Sequence, residues 1–405
     1  MHIRPILSAL SRHRASTLLI ALEIALACAV LCNACFLIGQ RLDNMHIDSG
    51  IDEASLAVVR LDGYADQSPN DLNARMLAGL RAIPGVQSAA VINTVPFGQQ
   101  AGAAGIFLDA ENEHFGGVVD FYAGSPGSLE TLGTRVVAGR APRVADYQPV
   151  ANFLPAEASI LVTRALAEQL WPGADPLGRE IWLGEDMHYR VMGVLDHLAT
   201  ARPGGRGAHS ADWSVFVPTQ PGPGLLGTYV LRAAPGDLPR VLQAARDTVA
   251  EVAPTVVLDE EQTATLPELR ERYFRSDRAM AGLLVGTIVA LLLVTALGIV
   301  GLTSFWVSQR RRQIGVRRAL GATRGDILRY FQTENFLIVT GGVALGMLLA
   351  YGLNQALMQH YELARLPAFY LPVGAIVLWL LGQAAVLAPA RRATRVSPAE
   401  ATRSI

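Results

Sequence analysis

Long apolar runs alternate with polar stretches along this chain and set its organisation. Four runs are nearly free of charge: residues 16–38 contain only Glu23, and residues 279–307, 336–357 and 371–390 contain no charged residue. Each run reaches the ~20 residues that a helix needs to cross a hydrocarbon core of ~30 Å. Because backbone groups cannot remain unpaired in lipid, the pattern predicts four transmembrane helices, at residues 16–38, 279–307, 332–357 and 371–390.

The first apolar run has an alternative interpretation as a cleaved secretory signal, since Arg4, Arg12 and Arg14 precede it. A signal peptide has an apolar core of about 7 to 15 residues that ends at a small-residue cleavage site. The run here is longer, and the sequence ALAC that ends at Cys28 has Ala25 where a lipoprotein signal would have a larger aliphatic residue. A retained membrane anchor is therefore the favoured interpretation.

The segment between the first two runs, residues 39–278, has short apolar patterns with strand and helix spacing, which are typical of a domain outside the membrane. Its start and its end each show the order strand, helix, strand: residues 55–61, 70–83 and 86–97, and again residues 228–233, 238–252 and 255–260. We therefore predict a subdomain of residues 54–117 and 211–262, interrupted by an inserted subdomain at 118–210. The predicted fold class is an α+β membrane protein, with this large mixed α/β domain of two split β-α-β units between helix 1 and helix 2.

Arginine alone sets the predicted orientation, because the chain contains no lysine. Three arginines lie in residues 1–15, seven in the loop 308–331 and four in the tail 391–405, against one in the short loop 358–370. Basic flanks of membrane helices stay in the cytoplasm. Both termini are thus predicted to be cytoplasmic and residues 39–278 periplasmic, in a bacterial inner membrane. That segment holds 30 acids and 19 arginines, which argues against a nucleic-acid partner, because such a partner needs a basic face.

No residue pattern predicts catalysis, a cofactor or a metal site. Without lysine the chain cannot form a Walker A loop, which reaches nucleotide phosphates with a lysine. Cys28, Cys32 and Cys35 share one face of the first helix, but a metal there would need thiolates in lipid, so helix packing is favoured. Asp196 and His197 are an acid-base candidate, for which a solvated loop pair is the favoured interpretation. We predict that the chain is not an enzyme.

The loop 308–331 carries its charge in an ordered pattern. Residues 309–320 are predicted to extend the second membrane helix, Gly321 to end it in a left-handed conformation, and Thr323 to cap the next helix with Asp326. Fewer arginines would suffice to set topology. The interleaved apolar residues therefore indicate that this corner also docks against something; they are Ile314, Val316, Ala319, Leu320 and Ala322.

The membrane helices contain small residues at spacings that allow close helix contacts. Glycine is also common in membrane helices for other reasons, so these positions are candidates only: Gly282, Gly286, Gly298, Gly301, Gly342 and Gly346. A buried charge in lipid is costly. We expect Glu334, near the cytoplasmic end of helix 3, to reach water or Arg329 and to have a structural role.

Several stretches together resemble the permease subunits of the MacB-like and FtsX-like ABC transporter family. Residues 310–346 (RRRQIGVRRALGATRGDILRYFQTENFLIVTGGVALG) look like that family's block from the end of its second membrane helix through its third. Residues 125–140, 161–184 and 189–198 (SPGSLETLGTRVVAGR, LVTRALAEQLWPGADPLGREIWLG, YRVMGVLDHL) resemble the MacB-type periplasmic core. The tail APARRATRVSPAEATR is similar to the family's C-terminal end.

This resemblance implies a permease without a fused ATPase domain, which binds no cofactor itself and works with a separate cytoplasmic ABC ATPase that binds ATP. It also implies a second permease copy or a paralogue as dimer partner, and it allows a periplasmic adaptor protein. The implied role is to transmit ATP-driven movement to the periplasmic domain for export or extrusion; an FtsX-like regulatory subunit and a lipoprotein-releasing subunit are alternatives. Gln313 departs from the acid usual in the motif. The implied ATPase-coupling residues are Arg311, Arg312, Ile314, Gly315, Arg317, Arg318, Ala319, Leu320, Gly321 and Ala322.

Overall fold

The chain forms two compact units in a computed structural model that describes residues 14–150, 154–184, 187–204, 210–361 and 366–394. The α/β unit is Asp43–Ser276, and the helical unit lies within Met1–Leu42 and Asp277–Ile405. Most of the predicted N-terminal segment 1–15, most of the tail 391–405 and part of the loop 358–370 fall outside the described residues.

Strands and shorter helices make up the α/β unit, and long helices make up the helical unit. In chain order, the elements are α1 (Arg14–Met45), β1 (Leu56–Asp62), α2 (Pro69–Ala82), β2 (Val86–Val91), β3 (Gly102–Phe107), β4 (Phe115–Gly124), α3 (Ser128–Leu132), β5 (Val136–Gly139), β6 (Glu157–Thr163), α4 (Arg164–Leu170), β7 (Glu180–Trp182), β8 (His188–Leu195), β9 (Ser214–Pro218), β10 (Thr228–Ala233), α5 (Leu238–Val252), β11 (Val257–Leu258), β12 (Ala264–Thr265), α6 (Leu266–Tyr273), α7 (Arg275–Gln309), α8 (Arg311–Ala319), α9 (Arg324–Tyr361) and α10 (Tyr370–Ala393).

The smaller sheet of the α/β unit has the order β11-β1-β10-β2, with β12 also paired to β1. Strands β1 and β2 both run antiparallel to β10, which lies between them. Strands β10 and β11 likewise both run antiparallel to β1. Each β-α-β unit is therefore split by a strand of the other, which confirms the predicted arrangement. Helices α2 and α5 form one core with this sheet through the buried residues Leu72, Met76, Val241 and Ala245.

The larger sheet has the order β5-β8-β6-β9-β4-β3-β7, and β7 also pairs with β8. The pairing of β7 with both β3 and β8 closes six of the strands into a ring. The contact between β3 and β7 is a single residue pair, Phe107 with Trp182. Residues of this sheet also share a buried cluster with the smaller sheet; they include Tyr122, Leu161, Leu195 and Phe216, against Leu56, Val58, Ala90 and Val230.

The structure places the limits of the inserted part differently from the predicted range 118–210. A limit at residue 118 would cut through β4, and both β3 and β9 belong to the larger sheet. The insertion therefore extends from β3 to β9, residues 102–218. Gly116 and Gly117 explain the displaced limit, because glycine is a poor strand former and interrupts the strand pattern at that point.

The helical unit contains four helices that are long and apolar enough to cross a membrane: Ser16–Met45, Arg275–Gln309, Arg324–Ala356 and Tyr370–Ala393. All four continue beyond the predicted apolar runs, because polar flanking residues can remain helical outside the hydrocarbon. Their buried residues form one cluster, which includes Ile24, Cys28, Ile299, Phe331 and Val386.

Candidate functional site

The chain breaks its helix at Arg310, between α7 and α8. Arg310 has φ −98° and ψ 9°, so the predicted continuous helix over residues 309–320 is wrong at this position. Two hydrogen bonds keep the elements close: the Arg310 amide donates to the Trp306 carbonyl at 3.0 Å, and the Ile314 amide to the Arg310 carbonyl at 2.9 Å. Helix α8 thus starts directly from the end of the membrane helix.

The Arg310 side chain forms a buried ion pair with Glu334 of α9. Its Nη1 atom lies 3.0 Å from both carboxylate oxygens of Glu334 and 3.3 Å from the Tyr330 hydroxyl. The guanidinium also lies 5.7 Å from the centre of the Trp306 ring. The Glu334 side chain is only 2% exposed. The expected contact of Glu334 with water is therefore wrong, and its ion-pair partner is Arg310, which reaches it across the helix break.

The turn after α8 is a Schellman motif, as the glycine in the sequence predicts. Gly321 has φ +99°, its amide donates to the Arg318 carbonyl at 3.1 Å, and the Ala322 amide donates to the Arg317 carbonyl at 3.0 Å. Thr323 and Asp326 then form a reciprocal cap at the start of α9, with amide-to-side-chain distances of 2.9 and 3.2 Å. The corner between α8 and α9 is therefore fixed by local hydrogen bonds.

One side of α8 is attached to the membrane helices. Ile314 is buried in the cluster that contains Ile327 and Phe331 of α9. Arg317 lies over the Tyr330 ring at 4.9 Å, and Nη1 of Arg318 donates to the Thr394 carbonyl at the end of α10 at 3.1 Å. These contacts tie the short helix to both α9 and α10.

The opposite side of α8 presents apolar residues among arginines. Leu320 is 83% exposed and Val316 is 46% exposed. Leu320 also lines an open cleft of about 460 Å³ beside Arg317, Asp326 and Tyr330. We call the exposed set the corner surface; it consists of Arg311, Arg312, Val316, Ala319, Leu320 and Gly321.

The predicted coupling residues fall on two sides of the corner. Five belong to the corner surface, whereas the other five are buried or make the contacts that hold the corner: Ile314, Gly315, Arg317, Arg318 and Ala322. The set of coupling residues implied by the resemblance omitted Val316, although the sequence named it among the apolar docking residues and its spacing of four from Leu320 places both on one side of a helix. It also omitted Arg310, for which the sequence gives no local signal.

The candidate glycines differ in what surrounds them. A Cβ atom at Gly346 would lie 2.5 Å from Cβ of Cys28 and 2.6 Å from the Ala25 carbonyl oxygen, and one at Gly342 would lie 2.8 Å from the Ala21 carbonyl oxygen. A Cβ atom at Gly298 would lie 2.8 Å from the Glu23 carboxylate. These three glycines lie against α1. Within the described residues nothing lies within 4 Å of such an atom at Gly282, Gly286 or Gly301.

The cysteines of α1 and the pair Asp196 and His197, which the sequence offered as chemical candidates, make structural contacts. The Sγ atom of Cys28 lies 3.9 Å from the Val343 carbonyl oxygen, a contact between α1 and α9. Among the described residues no group of three or more His, Cys, Asp or Glu side chains is placed to hold a metal ion. Asp196 and His197 do not form a solvated pair: Asp196 binds Arg135 and Arg164, whereas Nδ1 of His197 lies 2.6 Å from Asp212.

Known proteins match this chain in both units. Residues 285–398 match the family described as FtsX-like permease C-terminal. The pyoverdine export ATP-binding/permease protein PvdT of Pseudomonas aeruginosa is 30% identical over 290 residues, which are 64% of this chain and 41% of that protein. The macrolide export ATP-binding/permease protein MacB of Chromobacterium violaceum is 31% identical over 145 residues, 34% of this chain and 22% of that protein. These matches support the resemblance to the MacB-like and FtsX-like ABC transporter permeases.

The alignments with PvdT and MacB cover a larger share of this permease than of those two proteins. The chain spans less than half the length of the curated relatives PvdT and MacB. Among solved structures, the periplasmic region of MacB from Actinobacillus actinomycetemcomitans is 11% identical, with a TM-score of 0.32 over 55% of this chain and 94% of that one. Together with the four apolar helices, the family places this permease in a bacterial membrane.

The Gly346→Ala variant is expected to destabilise the permease, because the added methyl group would overlap Cys28 and Ala25 of α1. Overpacking of this kind costs typically about 1 to 3 kcal/mol, partly offset by the better helix propensity of alanine. Thermal unfolding of the full-length permease in detergent measures the loss. The matched control is Gly341→Ala in the same helix, which meets no atom of the described residues within 4 Å. Equal melting temperatures for both variants would contradict this packing.

Proposed function

We propose that this permease receives ATP-driven movement from a separate cytoplasmic ABC ATPase at the corner surface. The helical unit then passes the movement to the α/β unit, which drives export of a substrate from the periplasm. The observation that carries this proposal is the two-sided helix α8. Its outer side offers exposed Leu320 and Val316, and its inner side is bound to α9 and α10.

The corner surface has the composition of a protein contact. An exposed leucine gains about 1.5 to 3 kcal/mol when a partner buries it. The arginines around it favour a partner with acidic residues, since opposite charges steer association and fix its register. ATP would be bound by that partner, because this chain has no lysine for a Walker A loop.

The attachments of α8 give a route for force into the membrane. Arg318 connects it to the end of α10, and the Arg310–Glu334 pair connects the break before it to α9. A buried, hydrogen-bonded ion pair cannot slide without a large loss of energy. A push on α8 would therefore move the membrane helices rather than bend the corner.

Orientation and assembly complete the proposal. The arginine-rich flanks favour cytoplasmic termini and a periplasmic α/β unit. The open faces at Gly282, Gly286 and Gly301 favour contact with a second permease copy or a paralogue. The names of the relatives MacB and PvdT describe export proteins, which favours export over a regulatory role. An adaptor protein in the periplasm is part of the proposed assembly.

The Leu320→Glu variant is expected to lose the ATPase during purification of the complex from bacterial membranes. The change puts a charge where the ATPase would bury an apolar side chain, so we expect affinity to fall about 10- to 100-fold for a loss of about 1.5 to 3 kcal/mol. Mass spectrometry of the tagged permease complex gives the ratio of ATPase subunit to permease, and the subunit is recognised by its Walker A peptide.

The matched control for this experiment is Val144→Glu, because Val144 is an equally exposed apolar residue, at 82%, in the α/β unit. It should retain the full amount of the ATPase subunit. If Leu320→Glu and Val144→Glu retain the same amount, the corner surface is not the docking site.

A further inference from the structure

Residues 47–53 of the α/β unit are held on several sides. We call them the lead-in segment, because they follow α1 after one intervening residue. The Ala199 amide donates to the Ser49 carbonyl at 3.0 Å, and the Asp52 amide donates to the Leu132 carbonyl at 3.1 Å. Two cationic side chains add to these backbone contacts, and each comes from a different part of the α/β unit.

The first cation is Arg270 of α6, the helix that precedes α7. Its Nη2 atom donates to the carbonyls of Met45 and Ile47 at 2.8 and 2.6 Å, and its Nη1 atom donates to the Glu53 carboxylate at 2.7 Å. The guanidinium also lies 4.8 Å from the centre of the Phe97 ring. Arg270 therefore joins the chain that arrives from α1 to the chain that leaves for α7.

The second cation is His197, just after strand β8 of the larger sheet. Its Nδ1 atom lies 2.6 Å from Asp212 Oδ2, and its Nε2 atom lies 2.7 Å from the Asp48 carbonyl oxygen. A carboxylate and a carbonyl only accept hydrogen bonds, so both ring nitrogens must carry protons. The geometry therefore requires an imidazolium that ties the lead-in segment to the larger sheet.

The surroundings of His197 hold it in this state. Asp212 Oδ1 also accepts from the Leu198 amide at 2.8 Å, and the Asp48 side chain accepts from the Gly50 amide at 3.0 Å. The neighbouring Asp196 is paired with Arg135 and Arg164. The hydrogen bond to Asp212 raises the pKa of His197 to about 9. Gly50 has φ +73°, and a Cβ atom there would lie 2.5 Å from the His197 carbonyl group. The backbone of the lead-in segment therefore packs directly against the backbone of His197.

We propose that Arg270 and His197 are positioning residues of a two-part joint that carries movement from the membrane connections into the larger sheet. Arg270 makes the two connections move together, and His197 passes that movement from the lead-in segment to the sheet. Charge-assisted hydrogen bonds are about twice as strong as neutral ones, which suits them to transmit force. This inference rests on the proposed function, since it requires movement to arrive through α1 and α7.

The test follows two distances in the full-length permease, in its complex with the ATPase in liposomes. Fluorophores on unnatural amino acids are placed at exposed residues, so that the native cysteines stay. The pair Arg392 and Ser276 reports movement that reaches the end of the α/β unit, and the pair Arg392 and Val144 reports movement that reaches the larger sheet. Energy transfer is compared with and without ATP and vanadate.

In the wild type we expect both pairs to change with nucleotide. In His197→Gln the Arg392–Ser276 change should remain, and the Arg392–Val144 change should be lost. Asp212→Asn, a milder variant that keeps a hydrogen-bonding side chain beside the ring, should reduce the same change. An unaltered Arg392–Val144 change in both variants overturns the joint, and so does the loss of both changes in either variant. If neither pair changes in the wild type, it is the proposed function that fails.

A pH series separates transmission from a merely structural role. In the wild type the ratio of the Arg392–Val144 change to the Arg392–Ser276 change should fall between about pH 7 and about pH 10, as His197 loses its proton. In His197→Gln the ratio should not vary over that range. A wild-type ratio that is constant with pH contradicts the role of the imidazolium.

Discussion

Replacing Arg310 by methionine is expected to destabilise the helical unit by about 3 to 5 kcal/mol. The change removes the cation from the Glu334 carboxylate, whose side chain is only 2% exposed. A carboxylate left in such a place must either remain charged at high cost or take up a proton. Chemical unfolding of the full-length permease in detergent, followed by circular dichroism, measures the free energy of unfolding.

A double-mutant cycle identifies the ion pair as the cause. Arg310→Met combined with Glu334→Leu removes both charges and should recover most of the lost stability, because buried ion pairs contribute little beyond well-packed apolar residues. Arg329→Met is the matched control, since Arg329 is an exposed arginine of α9. It should stay within about 0.5 kcal/mol of the wild type. A double variant that is less stable than Arg310→Met would contradict this account.

The sequence predicts the parts of the corner that depend on neighbouring residues. Gly321 and the Thr323–Asp326 cap can be read from the chain because their partners lie within a few residues. The break at Arg310 cannot be read in this way. It accompanies an ion pair between residues 24 positions apart, on different helices, and only the folded structure brings them together.

The same contrast separates the two sheets of the α/β unit. The split β-α-β units have strong local patterns, with apolar residues of α2 and α5 at helical spacing. The ring in the larger sheet depends on β7, a strand of three residues that pairs with both β3 and β8. So short a strand carries no periodic signal, and its partners are distant in the sequence. The ring was therefore not predicted from the sequence.

The structure also changes the interpretation of His197. The sequence places it beside Asp196, and the pair reads as a solvated loop feature. The fold instead brings Asp212 and the Asp48 carbonyl to its two ring nitrogens. Neither partner adjoins His197 in sequence, so no local pattern could have identified this contact.

The stability of the α/β unit is expected to fall with rising pH through the titration of His197. The hydrogen bond to Asp212 raises the pKa of His197 to about 9 in the folded state, above the ordinary value of about 6.5. The folded state thus holds a proton that the unfolded state releases. The stabilisation is fully present below about pH 6.5 and is lost as the pH rises through about 9. Because the ring is 31% exposed, we expect the loss to be no more than about 3 kcal/mol.

Guanidinium unfolding of the full-length permease between about pH 6 and about pH 10 tests this dependence against the His197→Gln variant. Glutamine has no charge to lose, so its stability should be lower than that of the wild type at the acidic end of the range. The two profiles should then converge as the pH passes about 9, because the wild-type ring has become neutral as well. Asp212→Asn should give the same convergence, because it removes the negative charge that holds the proton on His197. Parallel profiles at all pH values would show that His197 is not held as an imidazolium by Asp212.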